Sequence, residues 1–151
     1  MKPPIFVALD VDNDNQAMEL ARNVSPYVMG YKVGPRLCLR YGKNLIGELA
    51  KMGEVFVDNK YYDIPNTMEA AIRASFEAGA SYATIHAGSG RQALERLAGV
   101  EKELNQERPF KILAVTVLTS FSEEGQPVHW SKGTVSDHVH ELASVALRSG
   151  L

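Results

Sequence analysis

A short apolar run rich in β-branched residues, followed by a helical pattern that usually stops at glycine, recurs along this chain, and few folds accommodate that alternation. The runs are "IFVALDV", "VMGYKVG", "EVFVDNK", "SYATIHAG" and "FKILAVTVLTS". Between and after them lie "NDNQAMELARNV", "NLIGELAKMG", "NTMEAAIRASFEAGA", "RQALERLAGVEKELNQ" and "VSDHVHELASVALRSG". The helical segments place apolar residues on one stripe: Ala17, Leu20, Ala21 and Val24; Leu45, Leu49 and Met52; Val139, Leu142, Ala143 and Ala146. Strands alternating with helices predict βαβ crossovers and a parallel sheet, and each unit takes roughly 25–30 residues. Strand runs that are apolar throughout suit a sheet covered by helices.

The chain has 151 residues, enough for one core, and residues 1–151 read as a single domain with no linker or low-complexity stretch. Its 45% hydrophobic and 23% charged content is ordinary for a globular protein. A net charge of −2 with no run of like charges argues against nucleic acid or a membrane surface as partner. One cysteine, Cys38, excludes an internal disulfide and a cysteine-based metal site, and it reads as a small core residue. "MKPPIFVALD" enters a strand almost at once, without signal-peptide character, and no apolar run reaches membrane-spanning length. The expectation is a soluble cytoplasmic protein.

Each predicted strand delivers a polar group at its carboxyl end: Asp10, Lys32, the Asp58–Lys60 pair, His86, then Thr119 and Ser120. That end of a βα sheet is where ligands bind. Alternation puts Phe56, Asp58 and Lys60 on one face of the third strand and Val55, Val57 and Asn59 on the other. An ammonium bracketed by acids at the end of an apolar strand is costly unless the charges are paired, so "VDNKYYD" is either a solvated turn or a site. The recurrence across strands favours a site. Asp12, Asn66 and Thr67 read as helix caps, Asp12 sharing its helix start with Asn13 as the alternative. His86 alone reads as a hydrogen-bonded structural histidine, and His138 and His140 as surface groups. His129 and Trp130 fall in a polar loop where Trp130 covers apolar surface.

The segments "VALDV", "YKVG", "VDNKYYDIPNT", "IHAGSG" and "LAVTVLTS" resemble, in order and spacing, the orotidine 5′-phosphate decarboxylase family. The resemblance spans almost the whole chain, and "DNKYYDIPNT" is its most specific part. It implies a (β/α)₈ TIM barrel, usually dimeric, that uses no metal and no cofactor. It also implies decarboxylation of orotidine 5′-phosphate to uridine 5′-phosphate in pyrimidine biosynthesis. Lys32, Asp58, Lys60 and Asp63 would form an alternating Lys-Asp-Lys-Asp charge network, with Asp63 entering the partner subunit's site. Asp10 would bind the ribose of this nucleotide monophosphate. Asp58, Asn59, Lys60, Tyr61, Tyr62, Asp63, Ile64, Pro65, Asn66 and Thr67 would line the substrate, and Thr119 would lie near the pyrimidine. Two other readings stand beside this one. A Mg²⁺-dependent sugar-phosphate decarboxylase or aldolase of the same superfamily shares D-x-K-x-x-D but carries an acid where Lys32 stands. A non-catalytic barrel fragment serving as an assembly module is the other.

The barrel of that family has eight units, and five are legible here. An incomplete barrel ending before the sixth strand is therefore expected, without the units that hold the family's phosphate-gripping residues. Its open edges would favour association or reduced stability. Asp10, Lys32, Asp58 and Lys60 are expected to converge on one concave face.

Overall fold

A computed structural model describes residues 2–127, 130 and 133–151. Five parallel strands, β1 (Phe6–Ala8), β2 (Gly30–Val33), β3 (Glu54–Tyr61), β4 (Tyr82–His86) and β5 (Lys111–Val115), form one open sheet in the order β1-β2-β3-β4-β5. Helices α1 (Asp14–Val24), α2 (Pro35–Ala50), α3 (Pro65–Glu77) and α4 (Arg91–Leu104) connect them in turn, and α5 (Val135–Arg148) follows β5. This is the expected βα succession. His129 lies outside the described residues.

The core forms between the helices and one face of the sheet. Tyr31, Val33, Val55, Val57, Ala83, Ile85 and Ile112 are buried there against Ala17, Ala21, Leu37, Leu49, Met68, Ile72, Leu94 and Leu97. On the opposite face Phe6, Phe56 and Tyr82 meet edge to face, with ring centroids 5.3–6.2 Å apart. Those rings are only half-buried, and Ala8 and Leu113 beside them are exposed. Gly30 permits this arrangement, since a Cβ there would meet Phe6 Cε1 at 2.6 Å and the Glu54 carbonyl oxygen at 2.2 Å.

Local chemistry accounts for most element ends. The Asn13 side chain caps α1 by accepting from the Gln16 N–H, so the alternative cap is the one used. Asp12 instead pairs with Arg36, Nη1 to Oδ1 at 2.6 Å. Pro35 and Pro65 occupy the first turns of α2 and α3, where a missing N–H costs nothing. Asn66 and Thr67 do not cap α3. They already lie inside it, and Ile64 holds the cap position without a side-chain bond. Thr134 and Asp137 form a reciprocal capping box on α5.

Three segments differ from the expectation. α2 begins at Pro35 rather than near Asn44 and bends at Gly42, whose φ of 43° and ψ of −128° break the helix. β5 stops at Val115, opposite His86, the last residue of β4. Beyond it Thr116–Ser120 have no strand to pair with, so the ladder ends. His138 is buried, 7% exposed, and its ring lies 4.4 Å from that of Trp130, which also packs on Phe121. The α5 stripe thus turns His138 and Ala146 inward, while His140 stays exposed as expected.

Candidate active site

β3 is not a regular strand at its carboxyl end. Val57 pairs with Ala83 and Tyr61 with Ile85, so four residues of β3 span the rise of two on β4. Thr84 is the single β4 residue facing this bulge. Lys60, inside it, has φ of 49°, and among the described residues no other non-glycine residue has positive φ. A lysine there is strained by roughly 1–2 kcal/mol relative to glycine, so the surrounding contacts must hold it.

Those contacts are specific. The Lys60 N–H donates to Thr84 Oγ1 at 2.8 Å, and the Thr84 hydroxyl donates to Asp58 Oδ1 at 3.0 Å. Lys60 Nζ donates to the same Oδ1 at 2.9 Å, and Lys32 Nζ approaches Asp58 Oδ2 to 3.5 Å. The Asp58 side chain is 13% exposed and the two lysines 32% and 39%. Burial pushes the Asp58 carboxyl up, but hydrogen bonds from Lys60 and Thr84 and the charges of both lysines outweigh it and hold the carboxyl below its ordinary value. The result is one ionised acid between two cations, open to solvent on the ammonium side.

The other sequence-predicted residues divide. Asp10 is exposed and lines a cleft with Gly34, Arg36 and Leu37 at the start of α2. Among the described residues it makes no ion pair. Tyr62, Asp63 and Ile64 are exposed beyond β3, and Asp63 Oδ1 accepts from the Ile64 N–H at 2.6 Å. Pro65, Asn66 and Thr67 open α3. Asn59 and Tyr61 point to the helix side, where Asn59 Nδ2 donates to the Tyr61 hydroxyl at 2.9 Å and that hydroxyl lies 3.0 Å from Ser75 Oγ. Thr119 is exposed in the irregular stretch after β5. The geometry therefore joins Lys32, Asp58 and Lys60. It does not bring the side chains of Asn59, Tyr61 or Asp63 into that group.

His86, closing β4, accepts the Gly88 N–H on Nδ1 at 3.0 Å and packs against Tyr62, with ring centroids 5.1 Å apart. Burial lowers its pKa. Thr84 was missed from the sequence. Its position two residues before His86, on the same face of β4, is the one signal that could have found it.

Comparison with known proteins identifies the family of the chain. The chain is 36% identical over 149 residues to an orotidine 5′-phosphate decarboxylase of Marinomonas sp. strain MWYL1, covering 98% of this chain and 63% of that protein. It is 37% identical over 150 residues to the enzyme of that name from Hydrogenovibrio crunogenus, covering 99% and 63%. The chain thus spans less than two thirds of the curated relatives it matches. The crystal structure of orotidine 5′-phosphate decarboxylase from Lactobacillus acidophilus superposes with a TM-score of 0.84 at 29% identity, over 97% of this chain and 68% of that one. With residues 3–151 matching the family described as orotidine 5′-phosphate decarboxylase / HUMPS, the chain belongs to that family and forms the first five units of its barrel.

Proposed function

We propose that this chain carries the reaction centre of a metal-free orotidine 5′-phosphate decarboxylase, yielding uridine 5′-phosphate. The observation that supports this reading most is the Lys32–Asp58–Lys60 cluster at the carboxyl ends of β2 and β3. Loss of CO₂ from C6 of the pyrimidine leaves a carbanion whose lone pair lies in the ring plane. The ring π-system cannot delocalise it, so a fixed external cation must.

Lys60 supplies that cation in this reading. Its ammonium stabilises the developing charge and then donates a proton to C6. Two unit charges about 4 Å apart attract by about 4 kcal/mol at an effective dielectric near 20, and more where substrate excludes water. Asp58 holds the Lys60 ammonium in position, and Lys32 balances the acid. Asp63 joins the network from a partner subunit, and Asp10 binds the ribose. The nucleotide's remote phosphate normally contributes binding energy that drives the chemistry at the ring. The phosphate-gripping residues of the family belong to units beyond the five present, so the chain alone is expected to be slow.

Lys32 favours this reading over the Mg²⁺-dependent one. It places a cation 3.5 Å from Asp58, where a divalent metal site would require an acid. In the described residues no helix is long and apolar enough to cross a membrane, which is compatible with a cytoplasmic enzyme.

The deciding experiment has two arms. Turnover of orotidine 5′-phosphate is followed by absorbance with the purified 151-residue chain. It is followed in parallel with a chimera in which this chain replaces the matching region of the Marinomonas relative. Turnover in the chimera, insensitive to a chelator, supports the proposal. A folded but inactive chimera rejects it, and loss of activity with chelator favours the metal-dependent reading. A chimera that works while the chain does not would assign the chain an assembly-dependent role.

A further inference from the structure

We infer that Thr84 is a positioning residue, whose hydroxyl sets both the backbone of Lys60 and the carboxylate of Asp58 for the reaction proposed above. The inference rests on that proposal for its chemistry but on the bulge for its geometry. A threonine hydroxyl has one proton to give. Here it goes to Asp58 Oδ1 at 3.0 Å, so the oxygen lone pairs are left to accept the Lys60 N–H at 2.8 Å.

The bulge redirects the Lys60 N–H. Glu54, an even number of residues earlier on β3, sends its N–H to the Met29 carbonyl at the start of β2, so regular alternation would aim the Lys60 N–H past the end of β2 at Val33. Within the register shift between Val57 and Tyr61 it turns to β4 instead, where the Thr84 side chain accepts it. The left-handed φ of Lys60 is then anchored at its own nitrogen. Asp58 Oδ1, already bonded to Lys60 Nζ, gains a second donor on the same oxygen, which fixes the rotation of the carboxylate. Thr84 is 3% exposed, so water cannot readily take over either bond. One buried hydroxyl thus locks the acid and the base of the pair in a single relative geometry. Thr84 need not touch substrate to do so.

The test compares Thr84→Val, which keeps the branched shape and removes the hydroxyl, with Thr84→Ser, which keeps the hydroxyl. In the chimera, Thr84→Val should lower kcat roughly ten- to a hundredfold, the range for a lost hydrogen bond to a charged group, with KM changed less than about threefold. Thr84→Ser should recover most of the loss. On the 151-residue chain, NMR titration of the Asp58 carboxyl should give a higher midpoint in Thr84→Val and return it in Thr84→Ser, with Lys32 from β2 and Lys60 from β3 unchanged. The unmodified chain offers a measurement that needs no variant, because the Lys60 amide should exchange slowly with solvent. Equal kcat in all three proteins, a Val defect that Ser does not rescue, an unmoved Asp58 titration or a Lys60 amide exchanging as fast as the Asp63 loop would each overturn the assignment. If the chimera shows no turnover at all, the proposed reaction falls, while the titration and exchange still decide the role of Thr84.

Discussion

The Lys60 ammonium stands 2.9 Å from Asp58 Oδ1, and both side chains leave the same bulged stretch of β3 although the Lys60 backbone is left-handed there. Strained backbone at a charged pair is the kind of feature that persists when surrounding contacts over-determine it, and such positions cluster at functional sites.

Removing the ammonium should separate function from stability. Lys60→Ala in the chimera should lower turnover by on the order of 10³-fold or more, as for loss of a preorganised electrostatic group, while circular dichroism stays native. Lys60→Gly should be as inactive but more stable than Lys60→Ala by about 1 kcal/mol, because glycine adopts positive φ without strain. Denaturant unfolding of the two variants checks this, and equal stabilities would contradict the strain.

Asp58 should make stability depend on pH. Its folded pKa lies below the ordinary value, so its contribution is present above about pH 4, the usual carboxylate value, and is lost as pH falls through the folded pKa. Asp58→Asn should therefore be destabilised at neutral pH, and the gap to the unsubstituted chain should close as pH falls below about 4. Unfolding titrations at a series of pH values measure the difference. A gap that widens on acidification would reverse the sign.

Asp63 should act across a subunit boundary. It is exposed just past β3 and is held by the Ile64 N–H rather than by the Lys32–Asp58–Lys60 group. Mixing inactive Lys60→Ala and Asp63→Ala chimeras should restore part of the activity, since some hybrid dimers would carry one intact site. No recovery in exchanged hybrids would count against a contribution in trans.

Gly30→Ala should disrupt the floor of the helix-free face. The added methyl would meet a backbone oxygen at 2.2 Å and the Phe6 ring at 2.6 Å, and overpacking of this kind costs roughly 1–3 kcal/mol. Phe6→Leu in the same chain should recover only the part due to the ring. Thermal unfolding of the single and double variants separates the two contributions.

The open sheet should make the isolated chain associate. β1 and β5 each have one unpaired edge, and the face carrying Phe6, Phe56, Tyr82 and Leu113 is partly exposed. Unpaired strand edges are templates for another chain. Light scattering should show association that grows with concentration, and the denaturation midpoint should move with it. A stable monomer with a concentration-independent midpoint would show that the sheet is protected in another way.

Residue pattern alone was enough for the βα succession, because strand and helix periods are local properties of neighbouring residues. Ala17, Ala21, Leu45 and Leu49 sit in the core as their spacing requires. The facing of Asp58 and Lys60 was also legible, since alternation along a strand needs no knowledge of its neighbours. What lay beyond the sequence depended on a second element. His138 is buried because Trp130, eight residues away, packs on it. The strand run after Val115 remains irregular because β4 ends at His86. Tyr61 shares the apparent site motif, yet its hydroxyl reaches Ser75 in the helix layer, on the Val55–Val57 face where alternation had already put Asn59. The bulge at Lys60 is the sharpest case. Nothing in "VDNKYY" indicates that β4 will match four of its residues with two, because register is fixed by the pairing of two strands and by the sheet as a whole. Only that pairing sets Thr84 against Asp58 and Lys60, which is why the charges could be read in one dimension and the hydroxyl that holds them could not.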